Sequence, residues 1–169
     1  MPYRNLIKTA QAIHAELVNQ VGPPEDGIVS HAQLVIFTPI VRNTREYIMR
    51  VANQINGSYE NGWYDACAVM LRRLIETLII EAFESHNISN KIKNSSGDFL
   101  YLKDLIDKTL SEPSWNLGRN TKKSLPKLKD IGDKSAHSRR YIAQRGDIQP
   151  LLDDIRTVVQ ELIYIAKFK

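Results

Sequence analysis

The sequence of 169 residues lacks most of the patterns that identify a metal-binding or cofactor-dependent enzyme. It has a single cysteine, Cys67, so no disulfide can form within the chain, and that cysteine with four scattered histidines gives no zinc-site spacing. It contains no Gly-rich phosphate loop, no Gly-x-Ser-x-Gly elbow and no His-Glu-x-x-His sequence. We therefore expect neither a metal ion nor a cofactor.

Long apolar runs are also missing. No stretch approaches the ~20 apolar residues of a membrane-spanning helix, and the first residues lack the apolar core of a signal peptide. These absences predict a cytoplasmic protein with no membrane partner. No Ser/Gly-rich linker divides the chain, so we expect one compact unit, in which an N-terminal helical segment (1–56) packs on a main helical domain (58–169).

Apolar residues recur at helical spacing in about six segments, and no two segments alternate as paired strands do. The predicted helices are 3–20, 40–55, Tyr64–Ser85, one capped by Asp98, one that begins near Ser124 and Pro126, and one capped by Asp147. Residues 34–37 fit either a short strand or a helical turn. The predicted fold class is all-α, a helical bundle.

The strongest of these helices is Tyr64–Ser85, which we expect at the centre of the bundle. One apolar face contains Tyr64, Cys67, Leu71, Leu74, Leu78 and Ala82. A thiol on that face is expected to be buried and structural, since a reactive cysteine needs an exposed electropositive site. Arg72 and Glu76, four residues apart, predict a structural ion pair or an arginine that points into a polar pocket.

A polar row is predicted on the helix that begins near Ser124. Lys129, Asp133 and His137 are spaced four residues apart, which places a cation, a carboxylate and an imidazole along one face. Gly132 within this helix costs ~1 kcal/mol relative to alanine and indicates that another backbone approaches closely.

Positive charge is concentrated around this row. Nine basic and two acidic residues lie between positions 119 and 145, a net charge of +7, whereas the whole chain carries +4. Such a segment attracts phosphates over a Debye length of ~10 Å at moderate salt, although a solvated basic surface without a partner fits the same composition. The charge pattern thus allows a nucleic-acid partner without establishing one.

Three stretches together resemble an uncharacterised bacterial all-helical family of the HEPN superfamily. They are WYDA at 63–66, LRRLIE at 71–76 and KDIGDKSAH at 129–137, and the resemblance covers residues 58–169. It implies a helical bundle, often dimeric, with a polar cleft between helices. Many superfamily members are metal-independent ribonucleases of toxin and antiviral systems, which use an arginine and a histidine separated by four to six residues.

The motif in this chain departs from the active pattern. Counting back from His137 by those spacings gives Gly132, Ile131 or Asp130, none of which is basic. Lys129 is the nearest preceding cation on the same helix, and a lysine lacks the planar fork with which arginine holds a phosphate. The resemblance therefore implies a degenerate site.

Three functions remain open from the sequence. The first is a non-catalytic HEPN-like module of a bacterial defence or toxin system. It would bind RNA or a nucleotide phosphate in a basic cleft, through Arg72, Lys129, Lys134, Arg139 and Arg140.

The second is a metal-independent endoribonuclease, with His137 as general acid or base, Asp133 orienting it, and Lys129 or Arg72 stabilising the developing charge. The third is a structural or dimerisation domain, in which His137 interacts only with the end of its helix.

The resemblance to the HEPN superfamily also implies that the protein forms a homodimer.

Overall fold

The computed structural model describes residues 6–13 and 34–168. Residues 6–13 are helical. Seven further α-helices follow: α1 (Thr38–Val41), α2 (Glu46–Glu60), α3 (Tyr64–Ser85), α4 (Leu102–Ser111), α5 (Arg119–His137), α6 (Arg145–Ile148) and α7 (Leu152–Ile165). Two 3₁₀ helices are Ser89–Ile92 and Gln149–Leu151. Apart from one β-bridge between Lys93 and Phe99, none of the described residues is extended in a sheet, so the predicted all-α fold class is confirmed.

Helix α3 lies at the centre of the bundle, as predicted, with the bounds that its apolar spacing indicated. It packs against α2, α4, α5 and α7. All six predicted face residues are buried. Cys67 is among them, and burial raises the pKa of its thiol to about 12, so the expectation of a structural thiol is confirmed.

The predicted helix 40–55 is wrong at both ends. Asn43, with φ of 70°, separates α1 from α2, and α2 continues through Asn56 and Gly57 to Glu60. The Asn56 amide is buried, where it accepts from the Ile36 N–H (2.8 Å) and donates to the Ile36 carbonyl (2.9 Å). Asn56 therefore anchors residues 34–37, which are neither strand nor helix, instead of ending α2.

The predicted start of α5 near Ser124 and Pro126 is also wrong. The helix begins seven residues before Pro126, at Arg119. At its start the Gly118 N–H donates to Oε1 of Glu161, on α7, at 2.5 Å. Because this capping group comes from a distant helix, the local sequence gave no sign of it.

The predicted helix caps Asp98 and Asp147 do not cap the helices for which they were predicted. The residue that precedes α4 is Tyr101 rather than Asp98, whose N–H donates to the Asn94 side chain at 2.9 Å in the preceding loop. Asp147 accepts from the Gln144 N–H at 2.9 Å in a capping box of the short helix α6, whereas α7 starts only at Leu152.

Other predictions reach beyond the described residues. Of the helix predicted over 3–20, only 6–13 is described, and His14 lies outside the described range. The division into 1–56 and 58–169 stays a prediction, and α2 runs through position 57 without a break. Among the helices of the described ranges, none is both long enough and apolar enough to span a bilayer.

Candidate functional site

The crossing of α3 and α5 positions the predicted polar row. Gly132 is buried at this crossing, and a Cβ atom there would lie 2.6 Å from Cβ of Arg72 and 3.0 Å from the Ala68 carbonyl oxygen. Only a residue without a side chain lets the two backbones approach this closely. The close approach predicted from Gly132 is confirmed, and it brings α5 against Arg72.

Four charged side chains form a network at this crossing. Arg72 Nε donates to Asp133 Oδ1 at 2.7 Å, and Lys129 Nζ donates to the other oxygen of the same carboxylate. Arg72 Nη1 also lies 3.4 Å from Glu76 Oε2. Two cations therefore face two carboxylates, and the network has no net formal charge.

The network is partly shielded from water, with side chains between 24% and 32% exposed. Partial burial on its own would raise the pKa of the Asp133 carboxyl. The hydrogen bonds and charges of Lys129 and Arg72 outweigh that effect, so the pKa lies below its ordinary value. Asp133 is thus held as a carboxylate that joins α3 to α5.

The third member of the predicted row is separate from this network. His137 is exposed, and no hydrogen bond or ion pair joins it to Asp133 or to any other described residue. The structure therefore brings Lys129, Asp133 and Arg72 together and leaves His137 at the end of α5. An imidazole without an orienting partner lacks the hydrogen bond that usually fixes its tautomer in catalysis.

The outward face of α5 carries a second set of cations. Lys134 pairs with Asp130 at 2.7 Å, which raises the pKa of the Lys134 amine, and Lys127 lies 3.6 Å from Asp154. Five others in the segment 119–145 are exposed and form no ion pair within the described residues: Arg119, Lys122, Lys123, Arg139 and Arg140. These five lie on or beside an outward-facing helix surface.

Arg139 and Arg140 occupy a short segment that is held at both ends. On one side the Ser138 N–H donates to the Lys134 carbonyl at 3.0 Å. On the other, the Ala143 N–H donates to Oδ1 of Asp65, at the start of α3, also at 3.0 Å. Asp65 therefore positions the arginine pair, a role that the sequence did not reveal because the two residues are 78 positions apart.

Tyr141 adds a further anchor to this segment. It is partly buried and packs against the core. Desolvation and a hydrogen bond to Asp147 raise the pKa of its phenol to about 12. The backbone that presents Arg139 and Arg140 is thus fixed by α3, by the core and by the segment that precedes α7.

The described residues contain no group of three or more His, Cys, Asp or Glu side chains arranged to hold a metal ion. The charged clusters at this end of the bundle are ion pairs between side chains of opposite sign. The positive charge that remains available to a ligand comes from the exposed basic residues of the segment 119–145 that form no ion pair among the described residues.

Comparisons with known proteins do not identify the chain. No protein-family model, no curated protein and no solved structure matches it. The likeness to HEPN proteins consequently stays a prediction that depends on the three short motifs.

Proposed function

We propose that the protein is a non-catalytic module that binds single-stranded RNA through its phosphates. The contacts come from Arg139 and Arg140 and continue along the exposed basic residues of α5. The observation that carries this proposal is the contrast in pairing. Arg72 on α3 and Lys129 on α5 are neutralised by carboxylates. In contrast, five exposed cations of the segment 119–145 have no ion pair in the described part of the chain.

This proposal changes the roles predicted from the sequence. Arg72, Lys129 and Asp133 hold α3 and α5 together, and Lys134 is paired with Asp130. Their charges are offset locally, so a phosphate gains little from approaching them. Arg139 and Arg140 keep both charge and hydrogen-bonding capacity, and a guanidinium can hold a phosphate with two parallel hydrogen bonds.

The arrangement suits an extended polyanion better than a single nucleotide. Arg119, Lys122 and Lys123 lie in the first turns of α5, and the arginine pair follows its last turn. A helix of this length extends roughly 28 Å, so the two groups would contact phosphates several nucleotides apart. Contacts of this kind release counterions and give affinity without base recognition.

A salt series with a labelled single-stranded RNA tests the proposal. The double variant Arg139→Ala, Arg140→Ala should bind more weakly and should reduce the slope of log affinity against log salt by roughly 1.4, or ~0.7 for each lost phosphate contact. The matched control is Lys103→Ala, Lys108→Ala, which removes the same charge from exposed positions on α4. The control should keep nearly the whole wild-type slope.

Two results would refute the proposal. One is a wild-type affinity for RNA that does not change between low and moderate salt. The other is an equal loss of affinity and slope in the two double variants, which would show that net charge alone attracts the RNA.

A further inference from the structure

The two tryptophans of the chain have opposite surroundings. Trp115 is partly buried, donates from Nε1 to the Thr109 carbonyl at 3.1 Å and meets the Phe83 ring edge to face. Trp63, in the turn between α2 and α3, is 59% exposed. A single exposed aromatic ring is not by itself a binding site, so the neighbours of Trp63 decide what it can contact.

The backbone that carries Trp63 is fixed on both sides. Gly62 adopts the left-handed conformation, with φ of 72°, and its N–H donates to the Tyr59 carbonyl at 3.2 Å. The Trp63 N–H donates to the Ser58 carbonyl at 2.8 Å, and its carbonyl accepts from the Cys67 N–H at 2.9 Å. The ring therefore projects from a turn that is already formed, which lowers the entropic cost of binding.

The arginine pair lies at the same end of α3 as Trp63. Asp65, two residues after Trp63, accepts from the Ala143 N–H at 3.0 Å, and Arg140 precedes Ala143 by three residues. Even if both connections were fully extended, the backbones of Trp63 and Arg140 would lie within roughly 25 Å of each other. Ile142, next to Ala143, is 69% exposed and adds apolar surface to this end of the bundle.

The carboxylates nearest to the arginine pair do not neutralise it. Asp65 accepts from a backbone N–H of the segment, and so does Asp147, from Gln144. In the described part of the chain, neither forms an ion pair with the arginines. Cations that are free to hold phosphates thus lie beside an exposed indole. Sites for single-stranded nucleic acid combine these two features, because the unpaired bases can stack on aromatic rings.

We propose that Trp63 is a stacking site for an unpaired base of the RNA strand that Arg139 and Arg140 hold by its phosphates. This inference rests on the proposed function and adds a base contact to it. Stacking tolerates any base, so Trp63 gives a preference for single-stranded RNA without reading its sequence. The bases of a duplex are paired and stacked on each other, so they are not available to the indole.

Two strands of equal length separate stacking from phosphate binding. One is oligouridine, and the other is an abasic ribose-phosphate strand, which keeps the phosphates and lacks the bases. Wild-type protein should bind oligouridine roughly 5- to 150-fold more tightly, the range measured for one base stacked on an aromatic side chain. This comparison requires no substitution, so it does not depend on how well a variant folds.

Trp63→Leu tests the residue itself, because leucine keeps an apolar side chain and removes the aromatic ring. The variant should lose the preference for oligouridine over the abasic strand and keep the wild-type slope of log affinity against log salt. Its affinity for duplex RNA should stay within about twofold of the wild type. Trp63→Phe should restore most of the preference, since a phenyl ring also stacks.

Tyr47→Leu is the matched control, since it removes another exposed aromatic ring. Tyr47 follows Arg45 by two residues, and Arg45 pairs with Glu81 near the end of α3 at 3.0 Å. Tyr47 therefore lies at the other end of α3 from Trp63. Its substitution should leave the affinity for oligouridine within about twofold of the wild type.

Intrinsic fluorescence gives a direct measure of stacking, because a base that stacks on an indole quenches its emission. Oligouridine should quench part of the wild-type emission, and the abasic strand should not. In Trp63→Phe only the partly buried Trp115 emits, so oligouridine should cause little quenching.

The failure of this inference is distinguishable from the failure of the proposed function. If oligouridine binds with a steep salt dependence, but no more tightly than the abasic strand, the phosphate contacts stand and the stacking site is refuted. Equal losses of affinity in Trp63→Leu and Tyr47→Leu would also refute it. If neither strand binds in a salt-dependent way, the proposed function fails and the stacking site fails with it.

Discussion

Lys129 of α5 and the arginine pair that follows the end of α5 are close in sequence but have different surroundings. Lys129 lies near the α3–α5 crossing at Gly132 and pairs with Asp133. Together with Arg72 and Glu76 they form a network with no net charge. Arg139 and Arg140, just beyond the end of the helix, are exposed and have no carboxylate partner among the described residues. The net charge of a segment therefore does not show which of its cations are free to contact a ligand, because ion pairs inside the bundle neutralise some of them.

We expect residues at the α3–α5 crossing to affect the stability of the fold and the exposed arginines to affect RNA binding. Substitutions at the α3–α5 crossing should alter the free energy of unfolding, because they change packing or leave a partly buried charge unpaired. Substitutions at the exposed arginines should alter RNA affinity and leave folding nearly unchanged. A change in RNA affinity that accompanies every change in stability would remove the distinction.

The largest expected effect is at Gly132. In Gly132→Ala, the new Cβ would meet Cβ of Arg72 at 2.6 Å, so the two helices must separate. We expect the free energy of unfolding to fall by ~1–3 kcal/mol, measured by urea denaturation. Gly57→Ala in α2 is the control, since apart from its chain neighbours and the adjacent backbone of its own helix no atom lies within 4 Å of the Cβ position.

That control should change stability in the opposite direction. Alanine at position 57 gains helix propensity without a clash and should raise the free energy of unfolding by about 0.5–1 kcal/mol. If both alanine variants are stabilised, the helices are not held as close at Gly132 as the structure shows.

A smaller effect is expected from the ion pair between Arg72 and Asp133. A double-mutant cycle with Arg72→Met and Asp133→Asn should give a coupling energy of about 1 kcal/mol, because the pair is about three-quarters shielded from water. The exposed pair Arg50–Glu46 on α2 is the matched comparison, with an expected coupling of ~0.3–0.5 kcal/mol.

The pH dependence of this coupling has a definite sign. The pKa of Asp133 lies below its ordinary value of 3.8, so ionisation of the carboxyl contributes stability above that value. The contribution is lost as the pH falls through the pKa of the folded state. A coupling energy that is equal at neutral pH and well below pH 3.8, or that matches the exposed pair, would contradict the assigned role of the network.

Much of this structure could be predicted from local sequence patterns. The bounds and buried face of α3, the buried thiol of Cys67 and the close approach at Gly132 all follow from the periodicity and size of neighbouring residues. The start of α5 and the position of Arg139 could not be predicted in this way. They depend on Glu161 and Asp65, which are distant in sequence and act through hydrogen bonds to backbone N–H groups.

The polar row shows the same limit within one helix. The spacing of four residues predicts that Lys129, Asp133 and His137 share one side of α5. It does not predict which part of that side contacts α3, because the contact depends on tertiary packing. The meeting point at Gly132 leaves Asp133 in contact with Arg72, while His137 lies beyond the crossing. A shared helix face is therefore not sufficient evidence for a shared site.

The smallest expected effect is at His137, and it bears on the alternative of a ribonuclease. A protonated histidine in the last turn of a helix adds ~0.3–1 kcal/mol through the helix dipole, so His137→Ala should lower the free energy of unfolding by no more than this. Wild type and variant should both leave RNA intact in EDTA, because the imidazole has no orienting partner among the described residues.

The control for His137→Ala is His86→Ala, which removes a ring nitrogen 3.1 Å from the Ile165 carbonyl oxygen. This substitution should lower the free energy of unfolding and should likewise leave RNA intact. Cleavage by the wild type that survives His86→Ala and disappears in His137→Ala would instead assign the end of α5 to catalysis, with exposed arginines that position the substrate.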